Sequence, residues 1–171
     1  MDEEKELPNR KPTRLKNFDY NTTGVYFITI CTQNRRQILS HIVGDDVLGV
    51  PKNVKLLPYG IVADKYINQM NEFYENLTVD RYVIMPNHIH FLLFVHGNGL
   101  PRTSTPTKQT SFVSHFVSTF KRFCNKEYGD DIWQRGFYDH IIRNRDDYEE
   151  HVKYIYENPI RWYYDELYTE E

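Results

Sequence analysis

Hydrophobic and polar positions along the 171-residue chain change period several times, and each change predicts an element. Residues 24–33, rich in β-branched and aromatic side chains, read as a first strand. Residues 38–56 contain Gly and Val without a steady period, and no element is assigned there. Between residues 59 and 74, Ile61/Val62, Lys65/Tyr66, Met70 and Phe73 recur at helical spacing. Residues 77–85 and 88–95 read as two strands joined at Pro86-Asn87, an antiparallel hairpin. Residues 97–110 are rich in Gly, Pro, Ser and Thr and predict an exposed loop. Phe112, Val113, Phe116, Val117, Phe120 and Phe123 then mark a second helix, with Ser111 as its N-cap and Lys121, Arg122 and Lys126 in its last turns, where positive charge suits the helix dipole. Residues 132–143 are mostly strand-like. A final helix starts at Asp146 or Asp147 and stops at Pro159. The order β-α-β-β-α-β plus a helix predicts an α+β fold of the ferredoxin-like kind, one antiparallel sheet with two helices on one face.

The length suits one domain, expected over residues 18–163, with a loosely ordered arm at 1–17 and an acidic tail at 164–171. A composition 40% hydrophobic and 26% charged excludes a disordered or collagen-like chain. Cys31 and Cys124 are far apart with no C-x-x-C pair, which excludes a disulfide scaffold and a cysteine-built zinc site and fits a reduced cytoplasmic protein. The acidic start has no apolar stretch after it, so no secretory signal is expected. Residues 82–101 carry no Lys, Arg, Asp or Glu, yet Pro86, Asn87, three histidines and two glycines interrupt them, so they predict buried strands and no membrane span. The formal net charge of −3 understates the central chain. The first seven residues hold four acids and one lysine and the last eight hold four acids, leaving 20 basic against 16 acidic side chains in residues 8–163. Arg10, Lys11, Arg14, Lys16, Arg35 and Arg36 form an early basic group that suits a phosphate backbone or simply a solvated face.

Candidate chemistry centres on His88-Ile89-His90. In a strand, His88 and His90 project to one face and Ile89 to the other, so two imidazoles are placed to hold one divalent cation. The plain alternative is a pair of hydrogen-bonded, inert strand histidines. In the final helix, Tyr148, Val152 and Ile155 form the core stripe, His151, Tyr154 and Asn158 share the adjacent flank, and Tyr156 lies on the opposite one. Tyr154 reads either as a packing residue or as a nucleophile. A metal on two imidazoles, with a carbonyl such as that of Asn158, would neutralise phosphate charge, and a tyrosine with that help would form a phosphotyrosine link. Such a link conserves the phosphoester energy, consistent with the lack of a Walker loop and of any nucleotide cofactor.

These motifs resemble those of the single-tyrosine HUH transposases (His, hydrophobic, His), and among them the REP-associated tyrosine transposases. The matching segments are Gly24-Val-Tyr-Phe-Ile-Thr-Ile-Cys-Thr, Met85-Pro-Asn-His-Ile-His90, Ser118-Thr-Phe-Lys121, Trp133-Gln-Arg-Gly136, Asp139-His-Ile-Ile-Arg143 and Tyr154-Ile-Tyr-Glu-Asn-Pro159. The resemblance implies metal-dependent cleavage and joining of single-stranded DNA with Mg²⁺ or Mn²⁺. It implies His88 and His90 as the metal pair, Tyr154 as nucleophile and Asn158 as third ligand, where insertion-sequence relatives carry Gln. It further implies recognition of DNA hairpins, with Arg14, Lys16, Arg35, Lys121 and Arg122 as contact candidates, and a monomer or homodimer. Two other functions stay open: a catalytically silent hairpin-binding module, and a metallohydrolase using Asp139 or Glu157 on a small substrate. Histidines of ordinary pKa would lose the metal, and activity with it, as pH falls through about 6.5.

Overall fold

The computed structural model describes residues 19–44, 53–97 and 111–170. Four strands form the main sheet: β1 (Gly24–Cys31), β4 (Leu77–Ile84), β5 (His88–Val95) and β6 (Tyr138–Ile142). Their order is β4-β5-β1-β6, and each neighbouring pair is antiparallel. The hairpin between β4 and β5 closes at Pro86-Asn87, where the Met85 amide donates to the His88 carbonyl at 2.8 Å.

Helices α1 (Pro58–Phe73) and α2 (Phe112–Tyr128) cover one face of this sheet. Ala63, Ile67 and Met70 of α1 and Val113, Phe116, Val117 and Phe120 of α2 pack against Tyr26, Ile28 and Ile30 of β1 and Ile89, Phe91 and Leu93 of β5. Each buried aliphatic or aromatic side chain of this kind contributes about 1.5–3 kcal/mol. Ser111 caps α2 as its sequence indicates, its hydroxyl accepting from the Ser114 amide, and Gly129 ends the helix in the left-handed conformation. The expected α+β sheet with helices on one face is thus present. β5 is buried on both faces, which explains its unbroken apolar run.

Three details differ from the pattern-based expectation. Residues 38–56, left without an element, contain β2 (Ser40–Val43) paired antiparallel with β3 (Asn53–Leu56). This hairpin lies close to α1: a Cβ on Gly60 would stand 2.0 Å from the Leu39 carbonyl oxygen, so only glycine fits. Strand structure in 132–143 is confined to 138–142, because the chain turns at Gly136 with φ of 82°. The last helix, α3 (Arg145–Glu157), begins one residue earlier than expected because Asn144 supplies the cap, accepting from the Asp147 amide at 2.9 Å. It lies against β4 and β5 on the sheet face opposite α1 and α2. The expected arm at 1–17 and most of the loop at 97–110 lie outside the described residues.

No helix among the described residues is long and apolar enough to cross a membrane. Cys31 and Cys124 are both buried and free.

Candidate metal and tyrosine site

Strand alternation puts His88 and His90 on the sheet face that receives α3, while Ile89 and Phe91 enter the core. Both imidazoles are buried, at 0% and 3% exposure, with ring centroids 4.4 Å apart. Their outer nitrogens are held. Asn87 Oδ1 lies 2.8 Å from His88 Nδ1, and the Asn87 amide nitrogen donates to the Leu167 carbonyl, which fixes which end of the amide faces the ring. A carbonyl oxygen can only accept, so His88 Nδ1 carries the proton and Nε2 presents its lone pair. Thr29 Oγ1 lies 2.8 Å from His90 Nδ1 and can hold that ring in the same tautomer.

The inner nitrogens, His88 Nε2 and His90 Nε2, are buried without a hydrogen-bond partner, and so is Asn158 Oδ1. Leaving one buried polar atom unpaired costs about 1–3 kcal/mol. Asn158 is oriented by its own amide nitrogen, which donates to Asp165 Oδ2 at 2.9 Å, and its side chain lies beside the His88 ring. Lone pairs on two imidazoles and an amide oxygen are a donor set that fits a divalent cation. The Asp165 carboxylate adds a fourth candidate, with a ligand atom within 4.8 Å of one on each histidine.

Burial drives the His88 pKa down to about 3, with Arg35 adding to the effect, and holds His90 well below its usual range, with His88 as the next cause. Both rings are therefore neutral at ordinary pH. The expected loss of metal near pH 6.5 is corrected on this ground: desolvation keeps the imidazoles competent as ligands far into the acid range.

Tyr154 reaches this group from α3. Its ring is 5.3 Å from the His90 ring and 5.9 Å from Phe27, and it remains 44% exposed. Burial of the hydroxyl and the nearby Asp165 charge push its pKa up to about 12, so the phenol is protonated at neutral pH. Its oxygen lies 3.5 Å from Asp165 Oδ2. Tyr156, two residues on, is 81% exposed. A cleft of about 460 Å³ opens over the group, its walls including Phe27, Arg35, His90, Tyr154 and Asp165.

Asp165 is the residue that sequence reasoning missed, because it fell within the presumed acidic tail. A short turn at Trp162–Tyr164 seats Trp162 against His88, with ring centroids 5.9 Å apart, and delivers Asp165 to the site. The following residues are held across it: Asn87 donates to Leu167, and Arg35 donates to the Glu166 carbonyl at 3.2 Å. The only signal in the sequence was the aromatic run Trp162-Tyr163-Tyr164 just before it, which is unusual for a solvated tail.

The basic candidates divide. Arg14 and Lys16 lie outside the described residues. Arg35 lines the cleft. Arg122 lies over the Phe123 ring at 5.5 Å. The Lys121 ammonium donates to the carbonyls of Gln134 and Gly136, closing the turn before β6, and burial draws its pKa down to about 8. Among the alternative general bases, Glu157 pairs with Arg161 at 3.1 Å, and Asp139 sits on β6 opposite Ile28.

No family model matches the chain. An uncharacterized protein of Haemophilus influenzae is 29% identical over 181 residues, spanning 96% of each chain. A REP-associated tyrosine transposase of Escherichia coli K12 is 26% identical over 142 residues, covering 83% of this chain and 70% of the relative. Among solved structures, a REP-associated tyrosine transposase bound to a REP hairpin superposes with a TM-score of 0.58 at 22% identity, covering 87% of this chain and 74% of that one. The resemblance carried by scattered motifs thus extends over most of the sequence, to relatives named REP-associated tyrosine transposases and to the fold of one of them.

Proposed function

We propose that this protein is a metal-dependent endonuclease and strand transferase for single-stranded DNA, with Tyr154 as nucleophile. The observation that carries this reading is the convergence of three unpartnered buried acceptor atoms, on His88, His90 and Asn158, beside Tyr154 of α3. A divalent ion bound there would supply charge neutralisation at a phosphate. Transposase relatives, and a structural neighbour that holds a hairpin, support single-stranded hairpin DNA as the substrate.

In the reaction, the Tyr154 oxygen bonds to phosphorus and the bond from phosphorus to the 3′ oxygen breaks. The products are a 5′-phosphotyrosine and a strand whose leaving 3′ oxygen takes up a proton to become a free hydroxyl. With its pKa raised to about 12, the phenol must surrender its own proton as it attacks, and Asp165, 3.5 Å away, stands where an acceptor is needed. Asn87 and Thr29 act earlier, holding both imidazoles in position through their outer nitrogens.

The test is incubation of the full chain with hairpin-bearing single-stranded DNA and Mn²⁺ or Mg²⁺, followed by denaturing electrophoresis. A protein–DNA adduct that resists denaturation, and that does not form when a chelator is present from the start, is the expected result. Binding of the hairpin with no adduct under either metal would overturn the enzymatic reading in favour of a silent binding module.

A further inference from the structure

Beyond the His88/His90 site, α3 and β6 bring together a second group of ligand-type side chains. His140 Nε2 lies 2.9 Å from Asp147 Oδ1, and His151 Nδ1 lies 3.1 Å from the same oxygen while donating to the Asp147 main-chain carbonyl at 2.8 Å. The two imidazole planes are stacked within 14° of parallel, with centroids 4.6 Å apart. One ligand atom from each of the three residues lies within 4.8 Å of the others. Phe27 stands between this cluster and the first site, its ring 4.7 Å from His151 on one side and 5.1 Å from His90 on the other.

The sequence builds the cluster economically. Asp147 and His151 are four residues apart, so they share one face of α3, while His140 comes from β6 opposite Phe27 of β1. The carboxylate is already fixed: Asp147 Oδ2 accepts from the Arg143 amide at 2.9 Å, and the Asp147 amide donates to the Asn144 cap. Two nitrogens therefore converge on one oxygen that cannot move away. We propose that His140, Asp147 and His151 bind a divalent first-row transition ion that pins α3, the helix carrying Tyr154, to the edge strand of the sheet.

Three chemical points favour this over a simple ion-pair network. Ligand atoms around a tetrahedral ion with bonds of about 2.0–2.2 Å stand roughly 3.4 Å apart, close to the two nitrogen–oxygen distances present here, and binding requires the His151 ring to give up its bond to the Asp147 main-chain carbonyl. One dication would serve all three ligands, each ring presenting one lone pair and Asp147 its carboxylate. His140 is also 44% exposed, which leaves the outer coordination position to water. Two imidazoles with one carboxylate suit Zn²⁺, Co²⁺ or Ni²⁺ better than Mg²⁺.

The inference does not depend on DNA cleavage, and its test separates the two sites. Metal-free full-length protein is dialysed against Co²⁺, and bound equivalents are counted for the wild type, Asp147→Asn and His88→Ala/His90→Ala. The expected result is that Asp147→Asn binds one equivalent fewer than the wild type, whatever the wild-type total, while the His88/His90 variant keeps that equivalent. Zn²⁺ should also raise the melting temperature of the wild type and of the His88/His90 variant, with that increment lost in Asp147→Asn. His140→Gln, a change on the exposed edge strand, gives the same comparison should Asp147→Asn unfold. Equal counts in the wild type and a folded Asp147→Asn or His140→Gln would overturn the proposal. A wild type that binds only the Asp147-dependent equivalent would count against the His88/His90 site and leave this one standing.

Discussion

Burial of the histidine pair has a cost that acid should reveal. In the folded chain the His88 pKa is pushed down to about 3 by desolvation, whereas an unfolded histidine titrates near 6.5. Above about pH 6.5 the ring is neutral in both states and contributes no pH dependence. Below it, the unfolded chain takes up a proton that the native chain refuses, so stability falls with pH until the native ring protonates near pH 3. At about pH 5, His88 alone should lower the unfolding free energy by about 2 kcal/mol relative to about pH 8, a large share of the 5–15 kcal/mol typical of a domain. His90, also held neutral by burial, shifts stability in the same direction. Asp147 and Glu127, whose pKa values are lowered by hydrogen bonds, lose their contribution at lower pH, nearer the carboxylate range. Urea titrations in chelator, followed by fluorescence of the buried Trp133 and Trp162, measure the effect across this range. His88→Gln should lose about 2 kcal/mol less than the wild type between those two pH values, since glutamine does not titrate. A wild type equally stable at both pH values would refute the reasoning, as would a glutamine variant with an unchanged pH dependence.

Further outcomes follow from individual contacts. Asn87→Ala removes the acceptor that fixes the His88 tautomer, and it should weaken metal binding at that site by about 10–100-fold in equilibrium dialysis. Gly60→Ala forces a methyl group onto the Leu39 carbonyl, and it should destabilise the fold by about 1–3 kcal/mol or more in urea unfolding, with no direct effect on the site. Asn158→Ala removes one of the three unpartnered acceptors, and it should reduce metal affinity while leaving the circular dichroism of the fold unchanged.

Much of the fold was legible because its periods are clean. The unbroken apolar run of β5 reflects burial on both faces, the 3.6-residue spacing in α1 and α2 reflects surfaces buried on defined faces, and the polar cap Ser111 marks the start of α2 by its own hydrogen bond, whereas the Asn144 cap of α3 went unread. The β2–β3 hairpin was hidden because its strands are only four residues long and in β2 the buried position is the polar Ser40 while Val43 is exposed, so burial alternates without a matching alternation in hydrophobicity. The 132–143 segment was over-read as strand because Gly136 and the Lys121 contacts, which turn the chain, act through tertiary structure.

The candidate site was legible in the same uneven way. His88 and His90 advertise themselves, being polar residues in an apolar strand, and Tyr154 and Asn158 fall on one flank by helical arithmetic. Asp165 did not, because its role depends on a turn that folds an acidic segment back onto the sheet. The pH behaviour of the histidines was legible only conditionally: residue type gives the ordinary pKa, but only the packed structure gives the desolvation that lowers it. Lys121 likewise has a charge that suggests phosphate, and hydrogen bonds that commit it to two backbone carbonyls.

The central claim is that Tyr154 forms the covalent link to DNA, and it is tested most directly by comparing Tyr154→Phe with Tyr156→Phe. Each purified variant is incubated with end-labelled hairpin DNA and Mn²⁺, denatured and resolved by electrophoresis. Removing the Tyr154 hydroxyl should abolish the labelled protein band while hairpin binding persists, and removing that of the exposed Tyr156 should leave the band in place. A labelled adduct that survives in Tyr154→Phe would contradict the account.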